Sequence, residues 1–248
     1  VIALLTASVI VLLLWGFWEL RANAPLVDLR TAAIPRVLLT NIASIFVGFG
    51  MYSSSLVMPQ ILQMPTEAGY GLGQSILSAG LWMAPAGLMM LFLSPVGGRL
   101  TSSKGPKFTL VLGILIMAAG YAVGQLGMGS TWGLLITSLV INSGVVLAYG
   151  AMPTIIMGAV PRSETGAANG LNTLMRSLGT TSGAAIIGLV LANMTIDFHG
   201  AVLPSETGFH TALWLGAGIS LVAALVAACI PSAAHATPAK VEEPLKAA

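Results

Sequence analysis

Seven apolar stretches divide the chain: residues 1–18, 37–64, 76–98, 108–127, 131–159, 166–193 and 209–230. A helix needs about 20 mainly apolar residues to cross a hydrocarbon core, and only a helix or a closed barrel pairs every backbone amide there. The first stretch opens in mid-run at Val1, and its first residues read as the middle of a spanning helix whose beginning is missing. The pattern predicts an all-α integral membrane protein, a polytopic helix bundle. Composition excludes a soluble alternative. Of 248 residues, 56% are hydrophobic and only 7% charged, against about 25% charged in an ordinary globular domain. Polar residues 19–36 read as a linker, and residues 231–248, rich in Ala, Pro, Lys and Glu, as a disordered tail.

Charge sets an expected orientation. The segments after the first, third, fifth and seventh spans hold Arg21, Arg30, Arg36, Arg99, Lys104, Lys107, Arg162, Lys240 and Lys246. Those after the second, fourth and sixth hold no basic residue, only Glu67, Asp197 and Glu206. Basic loops stay on the cytoplasmic side, which predicts a multi-pass cell-membrane protein with a cytoplasmic C-terminus. A net charge of +2 with no long basic run argues against a nucleic-acid partner. The single Cys229 and the scattered His199, His210 and His235 offer no ligand spacing for a metal. No cofactor is expected.

Glycines four residues apart let two backbones approach. Gly120 and Gly124, Gly179 and Gly183, and Gly166 and Gly170 have this spacing. Polar residues inside spans form stripes at steps of three or four. The second span carries Asn41, Ser44, Gly48, Tyr52, Ser55, Pro59 and Gln63. The fifth carries Ser138, Asn142, Tyr149 and Pro153, and the sixth Asn169, Asn172, Arg176 and Thr180. Three stripes predict either a shared water-accessible path or hydrogen bonds between neighbours. Arg176 is the one charge inside a span, a functional candidate because charge in a membrane is costly. It is expected to bind a counter-charge in the missing half of the protein or to shape the potential of a cavity. No Asp or Glu lies well inside any span, so a proton-coupled cycle needs a carboxylate outside this chain, or transport is not proton-coupled.

Enzyme motifs are wanting. Gly69-Tyr70-Gly71-Leu72-Gly73 lacks the strand and helix that frame a phosphate loop and is read as a flexible external turn. Ser182 precedes Gly183 without the spacing of a nucleophile elbow, and no histidine in the span partners it.

Gly98-Arg99-Leu100-Thr101-Ser102-Ser103-Lys104-Gly105-Pro106-Lys107 resembles the loop motif of the major facilitator superfamily, roughly G-x-L-x-D-R-x-G-R-R. Its glycines, leucine and last basic residue match, while Ser102, Ser103 and Pro106 replace charged positions. Glu19-Leu20-Arg21 with Pro25-Leu26-Val27-Asp28-Leu29-Arg30, Pro59-Gln60-Ile61-Leu62-Gln63, Gly69-Tyr70-Gly71 and Ala79-Gly80-Leu81 follow in order. Val160-Pro161, Gly166-Ala167-Ala168-Asn169-Gly170 and Arg176-Ser177-Leu178-Gly179 complete the series. Together they resemble fourteen-span drug:proton antiporters of the EmrB/QacA type over residues 19–230.

The resemblance implies a truncated helix of the central insertion at 1–18, a cytoplasmic linker at 19–36 and the C-terminal six-helix transporter bundle at 37–230. It implies three-plus-three inverted repeats and a substrate site near the midplane. The partners it implies are the lipid bilayer, a small-molecule substrate, protons and a missing N-terminal transporter half. The loop motif would comprise Gly98, Arg99, Lys104, Gly105 and Lys107. The expected substrate path is Asn41, Tyr52, Gln63, Trp82, Asn142, Tyr149, Asn172 and Arg176, with Tyr and Trp stacking on planar or cationic compounds. Met51, Met83 and Met89 would give an adaptable apolar wall. The expected activity is multidrug efflux by proton antiport. The rivals are a dedicated metabolite or antibiotic exporter, and a non-transporting scaffold or half-transporter.

Overall fold

The computed structural model describes residues 29–232, together with Ile10, Val11, Leu14 and Trp18, which are helical. The expected truncated helix at 1–18 falls almost wholly outside the described residues, as do most of the linker and the tail from 233. Six long helices follow a short helical turn at Leu29–Ala32: α1 (Pro35–Gln63), α2 (Ile76–Lys104), α3 (Pro106–Gly127), α4 (Thr131–Met157), α5 (Thr165–Asn193) and α6 (Glu206–Ala228). All six are long and apolar enough to cross a membrane.

Their ends follow local chemistry. Ser75, Ser130 and Ser205 stand before α2, α4 and α6, and each hydroxyl accepts from an amide three residues on, Ser78, Gly133 and Gly208. An N-terminal amide with no helical partner is thereby satisfied. Pro35 and Pro106 start α1 and α3, where a missing N–H costs nothing. The loop-motif segment is corrected by the structure. Gly98, Arg99 and Lys104 continue α2 as helix, Lys107 already belongs to α3, and the turn is Gly105 alone, at φ 89°. A left-handed residue needs glycine, and Pro106 then begins the next helix. The motif is a continuous helix end with a one-residue corner.

The Gly69–Gly73 segment is tied down. The amides of Leu72, Gly73 and Gln74 donate to the carbonyls of Ile61, Met64 and Leu62 at 3.3, 2.8 and 2.7 Å. It folds back on the end of α1 as an ordered cap. Beside it the chain forms a hairpin absent from the all-helical expectation: β1 (Thr195–Phe198) pairs antiparallel with β2 (Ala201–Pro204). His199 and Gly200 both have positive φ, as a type I′ two-residue hairpin turn requires.

Packing is paired in a regular way. α3 lies on α4, α1 on α5 and α6, α2 on α4, α3 on α6, and α1 on α4. Exchanging the first three helices with the last three maps these pairs onto one another. The arrangement is that of two three-helix repeats. α1 is the most enclosed helix and α2 the least, with Leu81, Leu88, Leu91, Phe92 and Val96 exposed on α2.

Glycine decides how close these pairs come. A Cβ on Gly120 would stand 2.8 Å from the Ile141 amide nitrogen, and one on Gly124 3.0 Å from Thr137 Cγ2. On Gly183 it would stand 3.0 Å from the Phe49 carbonyl oxygen, and on Gly179 it would run into the Ile45 carbonyl. Gly113 and Gly144 extend the α3–α4 seam, and Gly48 meets the Arg176 and Thr180 backbone on α5. Gly48 therefore belongs to a helix seam rather than to a polar path. Gly166 and Gly170 differ: nothing lies within 4 Å of a Cβ at either.

Candidate functional site

On the weakly covered side of the bundle, α1, α2, α4 and α5 border a cleft of about 500 Å³. Small-molecule sites commonly enclose 300–1,000 Å³. Met51 comes from α1, Met90 and Ser94 from α2, Val146, Tyr149 and Gly150 from α4, and Arg176, Ser177 and Thr180 from α5. Two residues of the expected path, Tyr149 and Arg176, meet here. The guanidinium carbon lies 4.5 Å from the centre of the Tyr149 ring, within cation–π range. The Tyr149 hydroxyl donates to Met51 Sδ at 3.3 Å.

Helix geometry explains why this charge is tolerated. Arg176 is 11 residues into α5, about 17 Å along the axis at 1.5 Å per residue. The half-buried side chain lies along the cleft wall, with the aromatic ring beneath it and hydroxyl-bearing residues beside it. No carboxylate among the described residues borders the cleft.

The other expected path residues lie elsewhere. Asn41 and Asn172 are buried, and Asn172 Nδ2 donates to Asn41 Oδ1 at 3.0 Å and to Ser44 Oγ at 2.5 Å. Ser44 in turn donates to the Thr40 carbonyl. These residues lock α1 to α5 and do not border the cleft. Gln63 ends α1, exposed, and helps border a separate depression of about 230 Å³ with Gln60, Met64, Pro65 and Leu203. Trp82 stands edge-on to Trp132 at 5.1 Å, about 12 Å along α2 from Met90 at 1.5 Å per residue. Asn142 turns its amide back to the Ser138 carbonyl at 2.8 Å. Tyr52 is half-buried next to Met51 but does not border the cleft.

The methionine wall is partly different from expectation. Met51 contributes, while Met90 takes the place expected for Met89. One residue turns a helical side chain by about 100°. Met83 lies near Ser138 Oγ, at 3.8 Å. Ser94 was missed altogether. Its signal in the sequence is a lone hydroxyl in an apolar run, four residues after Met90 and so on the same face.

Comparison with known proteins bears on this architecture. Residues 1–184 and 40–247 each match the model of the Major Facilitator Superfamily. The Multidrug resistance protein Stp of Mycobacterium tuberculosis is 27% identical over 190 residues, 75% of this chain and 34% of that protein. The Lincomycin resistance protein LmrB of Bacillus subtilis is 32% identical over 117 residues, 47% of this chain and 23% of that one. The Uncharacterized transporter YebQ of Escherichia coli is 27% identical over 232 residues, 91% of this chain and 47% of that protein. The chain spans less than half the length of these curated relatives. With six membrane-length helices in two packed sets of three, and the family match running along the whole chain, this multi-pass membrane protein belongs to the Major Facilitator Superfamily.

Proposed function

We propose that the chain forms the C-terminal part of an efflux transporter that exports small amphipathic compounds by alternating access, driven by proton antiport. The observation that carries this reading is the cleft bordered by Met51, Met90, Tyr149 and Arg176. It joins an adaptable apolar wall to one aromatic ring and one fixed charge, a combination suited to varied amphipathic ligands. Two relatives named for drug resistance support the substrate class. Lower coverage of α2 and α5 than of α1 leaves a face on which a second six-helix bundle would close the site. The longer relatives are consistent with such a bundle. No Asp or Glu lies in the interior of the six described helices. The proton-carrying carboxylate is assigned to that other bundle. The basic ends of α2, α3 and α5 would face the cytoplasm.

The test is to express the full-length protein in an efflux-deficient bacterium and follow accumulation of a chemically diverse panel. Reduced accumulation of several unrelated amphipathic compounds, abolished by a protonophore, is expected. An effect on one compound alone would make the protein a dedicated exporter. Unchanged accumulation throughout would overturn the transport reading, and Arg176→Ala with wild-type efflux would remove Arg176 from it.

A further inference from the structure

The charge and hydrogen-bond state of the cleft indicate what kind of compound it holds. The Arg176 guanidinium carbon lies over the Tyr149 ring, 4.5 Å from its centre. Among the described residues its side chain meets no carboxylate and donates to no acceptor in the protein, while it borders an open cavity. A guanidinium carries five N–H donors. The ring contact holds the group in place, and its donors have no protein acceptor among the described residues.

Across the cleft, Ser94 makes no side-chain hydrogen bond within the described residues and also faces the cavity. Ser177 and Thr180 have already turned their protons back to the carbonyls of Thr173 and Ser177, and Tyr149 has given its proton to Met51. The cleft thus presents a fixed positive charge with unspent donors and one free hydroxyl, walled by Met51, Met90 and Val146. The Tyr149 face is already occupied by a cation. A cationic ligand would meet a like charge, and no acid among the described residues borders this wall to offset it.

The geometry points to an anion-selective substrate site: amphipathic compounds bearing a carboxylate or similar oxyanion, held by Arg176 and Ser94 with their apolar part on the methionine wall. Arg–carboxylate pairing can be bidentate, so the site selects planar oxyanions over neutral esters of the same shape. This inference rests on the transport reading above and narrows its substrate class.

The test uses three matched probes, 2-naphthoate, methyl 2-naphthoate and 2-naphthylmethylamine, with the full-length protein in phosphatidylcholine vesicles. Binding and transport are measured separately. Naphthoate is expected to bind about tenfold or more tighter than the ester, since hydrogen bonds to charged groups are the strong ones, and the amine weakest. Arg176→Gln brings naphthoate and ester within about twofold, by loss of that charged contact, and Arg176→Lys restores part of the preference. Equal binding of naphthoate and ester, or preference for the amine, overturns the site. So does a naphthoate preference that survives Arg176→Gln. Where that variant does not fold, the wild-type ranking decides alone.

Repeating the binding with phosphatidylglycerol in the vesicles separates soluble anion from lipid headgroup. Unchanged naphthoate affinity supports a substrate site, and displacement assigns the cleft to lipid and overturns it. Binding in the expected order with no transport of any probe sinks the efflux reading while leaving the anion site standing.

Discussion

Asn172 of α5 donates to Asn41 of α1 at 3.0 Å, and both are buried, at 3% and 4% exposure. The same amide nitrogen also reaches Ser44. Two helices that meet through close glycine contacts gain a directional link, which fixes their rotation as well as their distance.

Breaking one side of that link strands the other. Asn172→Leu leaves the Asn41 carbonyl oxygen buried without its donor, and the expected loss is about 1–2 kcal/mol. It is read as a lower unfolding midpoint of the detergent-solubilised protein. Replacing Asn41 by Leu as well recovers part of the loss, because two apolar groups leave no unpaired polar atom. A double variant less stable than Asn172→Leu alone would refute the pairing.

The glycine seams predict a contrast between positions that look alike in sequence. Gly179→Ala drives a methyl group into the Ile45 carbonyl, whereas Gly170→Ala meets nothing within 4 Å. The first is expected to reduce folded yield severely, since backbone cannot give way as a side-chain tip can. The second should be neutral or stabilising by up to about 1 kcal/mol through helix propensity. Size-exclusion profiles of fluorescently tagged variants compare the two directly.

Tyr121 is fully buried and its hydroxyl donates to the Gly50 carbonyl, joining α3 to α1. Tyr121→Phe keeps the ring and removes the bond, for an expected loss of about 1 kcal/mol. Gly216→Ala acts on the same residue from α6, because its methyl would stand 2.5 Å from Tyr121 Cζ. It should cost more than Tyr121→Phe, and chemical denaturation in micelles measures the order.

The hairpin is fastened by one phenol. Tyr70 donates to the Pro204 carbonyl and its ring lies 6.0 Å from that of Phe209. Burial, and secondarily the negative charge of Glu206, raise its pKa above the ordinary 10.0. The raised value favours the neutral phenol in the fold, so the tether is complete below pH 10 and is lost as pH climbs through the raised pKa. Limited proteolysis of the His199–Gly200 turn by an alkaline-stable protease should therefore be slow at pH 8 and faster at pH 11. Tyr70→Phe should be cut faster than the wild type at pH 8. Equal rates for the two proteins at pH 8 would count against the tether.

Much of the fold was legible before any coordinates. Span positions followed from apolar runs, while the exact helix starts are set in the structure by Ser75, Ser130, Ser205, Pro35 and Pro106, signals that act within three or four residues. The length of α2 was not legible: the apolar run ends at 98, while the helix continues to Lys104. Small and polar residues such as Ser102 and Ser103 can end a helix or continue it, and here each hydroxyl turns back onto a carbonyl of its own helix. The hairpin at 195–204 was missed for a related reason: its strands are four residues each, too short for an alternating pattern to stand out.

The site divides along the same line. Sequence by itself determined that Asn41, Tyr149, Asn172 and Arg176 occupy polar faces of three helices, since a period of 3.6 residues fixes the face a side chain takes. It could not determine which neighbour each face meets. Asn172 and Asn41 are 131 positions apart and Tyr149 and Met51 are 98 apart, and no local signal carries that information. Only the tertiary structure decided that the asparagines satisfy one another in a helix seam while Tyr149 and Arg176 meet beside an open cleft. The physical reason is the closeness of the glycine contacts between α1 and α5, at Gly48, Gly179 and Gly183. Backbones that touch along one seam fix the rotation of both helices, and that rotation sends one set of polar residues inward and leaves the other facing the cavity.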